Sequence, residues 1–274
     1  MSPVRPGWRA PRRLGPVNGR GLWTLYRREV WRVLKDYRDS LLGPAVSSVL
    51  LLAVFDLALG GTVGTGVAPA AFGGVGVLQF LGPGLIIFTV CDRAFETASA
   101  SLLFDKMEGM IQDTLMAPLS AAERTLGYAL SAATAGLLAG GVVAAAVLLF
   151  VRLPVASPGC VLLFAAGGAL LHAGIGILVG MWATRWEHFA AALSFAIVPL
   201  AYLSGMFYPV SALPAAGRDL VAINPVFYVI DGFRYGFIGH ADGPLPVAAA
   251  LVAGLAVALL AVAHRLFARG ALKA

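Results

Sequence analysis

The sequence is poor in charge, in cysteine and in histidine, and each shortage closes off a class of protein. Asp, Glu, Lys and Arg make up 12% of the 274 residues, against roughly 25% in soluble domains. Hydrophobic residues make up 59%, and the mean hydropathy is +0.84. A soluble globular domain is excluded; the composition is that of an integral membrane protein. No alternating ten-residue pattern recurs, so the spans are helices rather than barrel strands. The two cysteines, Cys91 and Cys160, stand alone in apolar surroundings without metal-ligand spacing, and read as small buried hydrophobes. The four histidines, His172, His188, His240 and His264, are scattered. No G-x-x-x-x-G-K-[ST] loop, H-E-x-x-H or G-x-S-x-G occurs, and no Gly-Lys dipeptide. The chain therefore lacks the usual loop for nucleotide phosphates and shows no nucleophile–base pair.

What charge there is lies unevenly. Residues 1–40 hold Arg5, Arg9, Arg12, Arg13, Arg20, Arg27, Arg28, Arg32, Lys35 and Arg38 against Glu29, Asp36 and Asp39, in a chain of net charge +6. A basic block directly before the first apolar run marks the cytoplasmic side of a bilayer and is no sign of nucleic-acid binding. Residues 1–21 read as a disordered basic tail, with prolines and no apolar core that would make a secretory signal. Residues 22–274 read as one transmembrane domain. Within it, 22–39 has Leu22, Tyr26, Val30, Val33 and Tyr37 at helical spacing and most charges elsewhere on the wheel, an amphipathic helix suited to the membrane surface.

Six spans follow, at about 41–60, 77–104, 128–151, 160–182, 189–206 and 246–267. Both ends are expected on the cytoplasmic side, because the external segments hold only Arg152, Arg218 and Arg234 among basic residues. The third and fourth spans carry small-residue ridges, Ala132, Gly136, Gly140 and Ala144 in one and Gly176 and Gly180 in the other, which permit close helix approach.

Three features carry candidate chemistry. In the cytoplasmic third of span two, Asp92 and Glu96 share a face, with Arg93 placed to pair with Glu96. Paired carboxylates could serve a metal or acid–base chemistry, and the plainer reading is a local ion pair; His172, alone in span four, reads as a hydrogen-bonded packing residue. Residues 104–120, FDKMEGMIQDTLMAPLS, form the main cytoplasmic loop. Met107, Met110, Ile111, Leu115 and Leu119 fall on one helical face and Asp105, Glu108, Gln112 and Asp113 on another, with Pro118 as the stop and Ser120/Glu123 as a capping box for the next helix. Such a helix suits docking of a soluble partner. The third feature is 201–239, apolar yet interrupted at Pro209, Pro214, Gly217, Pro225, Gly232 and Gly236. A bilayer core leaves no water for open backbone, so this stretch must face protein, re-enter the membrane or line a cavity.

The motifs YLSGMFYPVSALP (202–214), INPVFYVIDGFRYGFIG (223–239) and KMEGMIQDTLMAPLS (106–120), with FLGPGL (80–85), resemble the membrane subunits of the type-2 ATP-binding-cassette exporter family across residues 22–267. That resemblance implies an all-α permease with six transmembrane helices, an N-terminal interfacial helix and short re-entrant external helices between spans five and six. It implies a multi-pass protein of the bacterial cytoplasmic membrane, two permease copies (identical or similar) and two separate ATPase subunits that bind the ATP and Mg. This chain itself would bind no cofactor and no metal, and it would not be an enzyme. Lys106, Met107, Glu108, Met110, Ile111, Asp113, Leu115 and Pro118 would form the ATPase-coupling loop. Ser204, Gly205, Phe207, Pro209, Pro214, Asn224, Pro225, Tyr228 and Arg234 would shape an external gate, with Asp231 and Arg234 pinning it at the rim. DRAFE (92–96) is more charged than the family pattern leads one to expect. Two other classes fit the residues alone: a membrane enzyme acting on lipid through Asp92, Glu96 and His172, and a passive channel.

Overall fold

The computed structural model describes residues 18–58 and 75–270. Most of the expected tail, the Gly-rich loop after span one and the last four residues lie outside them. The described residues are helical, with no strand: α1 (Gly19–Lys35), α2 (Gly43–Ala58), α3 (Val77–Met107), α4 (Ile111–Met116), α5 (Ala121–Leu148), α6 (Pro158–Trp182), α7 (Trp186–Ala192), α8 (Val198–Tyr202), α9 (Ala215–Ile223), α10 (Pro225–Ile238) and α11 (Leu245–Ala268). Five stretches among them are long and apolar enough to cross a membrane: 38–58, 77–107, 121–148, 158–182 and 245–268.

α3 is the axis. In its most apolar window 78% of residues are buried, against 17% in the corresponding windows of 38–58 and of α11. α5 and α6 flank it, α10 closes against α6 and α3, and α11 and α1 form the outer layer on α6 and α5. Small residues set these distances. A Cβ on Gly136 would overlap the Val90 carbonyl oxygen, and one on Gly176 the Phe95 carbonyl oxygen. At Gly180 it would sit 2.9 Å from the Ser99 carbonyl. The small-residue ridges thus bring helices of one chain together around α3.

Three expectations shift. The amphipathic helix spans 19–35 rather than 22–39, because Asn18 caps it: its side chain accepts from the Gly21 N–H at 3.0 Å. A π-helical turn, Arg38–Leu42, then leads straight into α2, so the first long apolar helix begins near residue 38. The fifth expected span, 189–206, is helical over 186–202 but segmented into α7, a π-helical turn at Leu193–Ile197 and α8. Pro199 explains the break. It has no N–H for the Phe195 carbonyl, and the ladder widens there, with the Val198 N–H bonding back to Leu193. The single coupling helix expected over 106–117 is two pieces. α3 runs on to Met107, the chain turns at Gly109 (φ +72°), and only Ile111–Met116 is a separate short helix.

Candidate functional site

The bundle has two elaborated ends. One, the basic end, carries α1, α4 and the last turns of α3 and α11. The other, the cap end, carries the interrupted stretch 201–243.

At the basic end a buried charge cluster ties α1 to α3. Asp105 is fully buried, and its two carboxylate oxygens accept from Arg28 at 2.7 Å and Arg32 at 2.9 Å. Glu29, 1% exposed, pairs with Arg28 at 2.7 Å and Arg32 at 3.3 Å, and accepts a short bond from Ser101. Arg32 also donates to Ser101 at 2.7 Å and lies over the Phe104 ring. Arg28 reaches Thr114 on α4 at 3.3 Å and the Tyr128 hydroxyl on α5 at 3.4 Å. Burial works against the Arg28 charge, yet Glu29, Tyr128 and Asp105 outweigh it and hold the guanidinium above its usual range. Asp105 thus belongs to this cluster, not to the polar face of a docking helix as its spacing implied. Local spacing does not reveal this cluster, because Glu29 and Asp105 stand 76 positions apart; the available signal is an acid directly after the apolar Leu102–Phe104.

α4 is anchored from three sides. Ile111 and Thr114 are buried beneath it. Arg124 donates to the Leu115 carbonyl at 2.9 Å, satisfying an orphan acceptor at its C-terminal end. The expected capping box is present, with Ser120 accepting from the Glu123 N–H at 3.2 Å and Glu123 from the Ser120 N–H at 2.7 Å. Glu123 also takes a short bond from the Asn18 N–H, while the Asn18 side-chain amide donates to the Pro118 carbonyl at 3.0 Å, so the starts of α1 and α5 are locked together.

The expected apolar face of the coupling loop is therefore divided. Ile111 packs inward, Leu115 and Leu119 are half-buried, and Met107 and Met110 are exposed. Lys106 does not face outward: its ammonium donates to the Met181 carbonyl at 3.0 Å and, more closely, to the Ala183 carbonyl, closing the end of α6. What faces outward is Met107, Glu108, Met110, Asp113, Pro118 and Met116; the last, 75% exposed, was not expected there.

At the cap end the interrupted stretch folds into a 3₁₀ turn, Val210–Ala212, then α9 and α10. Asn224 joins them: its amide donates to the Leu200 carbonyl at 2.6 Å, and its Oδ1 accepts from the Val226 N–H at 3.0 Å, with Pro225 in the first turn of α10. The Tyr228 hydroxyl donates to the Ala222 carbonyl at 2.9 Å. Ser204 donates to the Ala201 carbonyl, and Gly205 takes φ +72°, which turns the chain back after α8. Pro209 and Pro214 sit immediately before the 3₁₀ turn and α9, and Phe207 stacks with Phe55 of α2.

Asp231 and Arg234 are not rim residues. Both are buried, at 3% and 2% exposure. Arg234 donates to the Gly205 carbonyl at 2.8 Å and lies 3.7 Å over the Phe80 ring; Asp231 accepts from the Asp242 and Gly243 N–H groups at 2.9 and 3.0 Å. They do pin the cap, from beneath: Asp231 holds the loop before α11, and Asp242 accepts in turn from the Val210 N–H at 3.0 Å. Arg234→Lys keeps the charge but loses the planar group over Phe80. It is expected to cost ~1–2 kcal/mol of stability, read as a lower thermal midpoint in detergent.

In the middle of the bundle, Arg93 pairs with Glu96 at 2.8 Å, as its spacing implied. His172 is buried and its Nδ1 lies 2.9 Å from the Gly168 carbonyl, the contact of a packing residue. Among the described residues no group of three or more His, Cys, Asp or Glu could hold a metal ion.

Comparison with known proteins agrees with this architecture. Residues 20–238 match the ABC-2 type transporter family. The chain is 30% identical over 249 residues to the inner membrane transport permease YadH of Escherichia coli (strain K12), covering 91% of this chain and 95% of that protein. It is 30% identical over 239 residues to nodulation protein J of Rhizobium leguminosarum bv. trifolii, covering 82% and 83%, and 28% identical over 234 residues to nodulation protein J of Rhizobium meliloti (strain 1021), covering 82% and 84%. An α-helical bundle with several membrane-crossing helices and a match spanning both of its elaborated ends make this chain a member of the ABC-2 type transporter membrane family, the transmembrane subunit of an ABC transporter.

Proposed function

We propose that the chain is the permease of an exporter in the bacterial cytoplasmic membrane, with both termini in the cytoplasm, and that it works as a pair of permeases, identical or similar, over two ATPase subunits. ATP and Mg belong to those subunits; this chain binds neither. The ATPases dock on the outward face of residues 106–118 at the basic end, where Glu108 and Asp113 supply polar contacts and Met107, Met110 and Met116 apolar ones. The stretch 201–239 acts as the external gate.

The observation that supports this most is the way the outward face is mounted. α4 carries almost no helix of its own, and a six-residue helix is marginal in isolation. Yet its inner side is tied by Arg124, Thr114 and Ile111 to α5, α1 and the base of α3. A push on Met110 or Met116 is thereby passed to α3, the axis of the bundle, rather than absorbed by a loose loop.

The test is co-expression with the ATPase encoded nearest to this gene, followed by affinity purification through either subunit. The two should co-purify. An exposed charge contact is worth up to ~1 kcal/mol, so Glu108→Lys with Asp113→Lys should weaken the complex about tenfold while the permease itself remains folded. Recovery of active permease without any ATPase, or a complex indifferent to the double reversal, would sink the assignment.

A further inference from the structure

Of the features that the transport reading leaves unexplained, the charged segment DRAFE lies beside an opening into the bundle. A cavity of about 510 Å³ runs between the start of α2, the middle of α3 and the chain just after α8. Its lining is graded along the bundle axis. α2 enters from the basic end, so Asp39 and Ser47 lie toward that end and Leu51 farther in. α3 runs the opposite way, so Asp92 lies toward the basic end and Phe88 and Leu85 toward the cap. Seven residues separate Leu85 from Asp92, a rise of roughly 10 Å. The cap-side wall is completed by Tyr202, Met206 and Phe207. One end is thus carboxylate and hydroxyl, the other aromatic and aliphatic.

The acidic end is not internally neutralised. Arg93 reaches the same cavity, but its guanidinium is engaged by Glu96 at 2.8 Å. Asp92, half-buried, has neither a hydrogen bond nor a salt bridge to any described residue, and Asp39 has none either. One guanidinium, Arg93, thus faces Asp92 and Glu96 together, and a half-buried carboxylate that shares its cation in an otherwise apolar bundle is costly unless something charged or water reaches it. Aromatic rings along the same wall offer apolar contact to the body of a ligand and π-faces to a positive charge.

We propose that this cavity is a binding site for cationic amphiphiles, molecules with an ammonium-type or a delocalised cation and an apolar body. The cation lies at Asp92 and the body extends toward Phe88 and Phe207. The proposal deepens the transport reading and rests on it for one consequence, that the cavity selects what is carried.

The test uses two ions of nearly the same shape and opposite charge, tetraphenylphosphonium and tetraphenylborate, in equilibrium dialysis against the purified full-length chain in detergent. Tetraphenylphosphonium should bind at least about tenfold more tightly than tetraphenylborate. Asp92→Asn should remove about tenfold of that affinity, Asp92→Glu should keep most of it, and Phe88→Ala should weaken both ions, the cation at least as much as the anion. Equal binding of the two ions, or an Asp92→Asn chain that binds the cation as well as wild type, overturns the site. ATP-driven uptake of tetraphenylphosphonium into vesicles holding the chain with its ATPase separates the two levels. Charge-selective, Asp92-dependent binding without uptake upholds the site and removes the transport role given to it. Uptake that is indifferent to Asp92→Asn removes the site and leaves the permease reading standing.

Discussion

Replacing Asp105 by Ala should lower the stability of the folded chain by about 3–4 kcal/mol, the lower part of the range for losing one partner of a buried ion pair. Asp105 is fully buried and takes a guanidinium on each carboxylate oxygen. Without it, Glu29 is the one carboxylate left to the two arginines, whose remaining acceptors, Thr114 and Tyr128 for Arg28 and Ser101 for Arg32, are neutral. The arginines are 38% and 34% exposed, so water recovers part of their solvation and keeps the loss below the most severe cases. Asp105→Asn keeps the shape and some hydrogen bonding and should fall between wild type and Ala. The loss should reverse when the charges go together: Arg28→Met, Glu29→Gln, Arg32→Met and Asp105→Leu combined should recover most of the thermal midpoint, since apolar groups of similar volume can replace a buried ion cluster at little cost. The same restored variant should still couple poorly to its ATPase, because Arg28 is also the side chain that ties Thr114 of α4 to α1. A midpoint for Asp105→Ala within 1–2 °C of wild type, by intrinsic fluorescence in detergent, would show that the cluster is ornamental; ~1 kcal/mol already moves a midpoint by roughly 2–4 °C in a chain of this size.

That cluster also marks where legibility ended. Five of the six expected long apolar helices, the Ser120/Glu123 box and the Arg93–Glu96 pair are local facts, written in spacings of three to four residues or in runs of about twenty, and the described residues show them close to the expected positions. Periodicity alone places Asp105 on a docking helix, because residues 104–116 keep helical spacing through Gly109. The break there is a left-handed turn that periodicity does not register, though Gly after a basic last turn is a usual helix stop. The sequence pattern points Arg234 to a rim, because a charge in a Pro- and Gly-broken stretch looks solvated. In the folded chain the backbone turn at Gly205 supplies carbonyls and Phe80 supplies a ring, and both come from other elements. Of the coupling loop, the outward Glu108 and Asp113 were legible from their charge, whereas the inward turn of Ile111 and the capping role of Lys106 depend on α5 and α6. In each case the missing term was a tertiary partner tens of residues away.

Placing Ala at both Gly136 and Gly176 should prevent the folded chain from accumulating. Helix propensity argues the other way, since Gly→Ala in a helix interior is worth about 1 kcal/mol in favour of Ala. Packing decides the sign. At Gly136 the new methyl meets the Val90 carbonyl and the Ala94 methyl, and at Gly176 it meets the Phe95 carbonyl and the Ala98 methyl. These are backbone and short side chains, and none can rotate away. α3 cannot shift to relieve one clash without worsening the other, because α5 and α6 hold it between them. Overpacking costs ~1–3 kcal/mol at one site and more where backbone must move. Because both clashes press on α3, neither relieves the other, and together they approach the 5–15 kcal/mol by which folded proteins are typically stable. The control lies one residue away from a ridge position: Gly141, and Gly254 on α11, have nothing within 4 Å of an added Cβ. Gly141→Ala with Gly254→Ala should therefore express at wild-type level or better, showing the propensity gain unopposed. If both double variants gave equal yields of monodisperse protein in detergent, close approach at α3 would not be what organises the bundle, and the small-residue ridges would need another partner, such as a second copy of the chain.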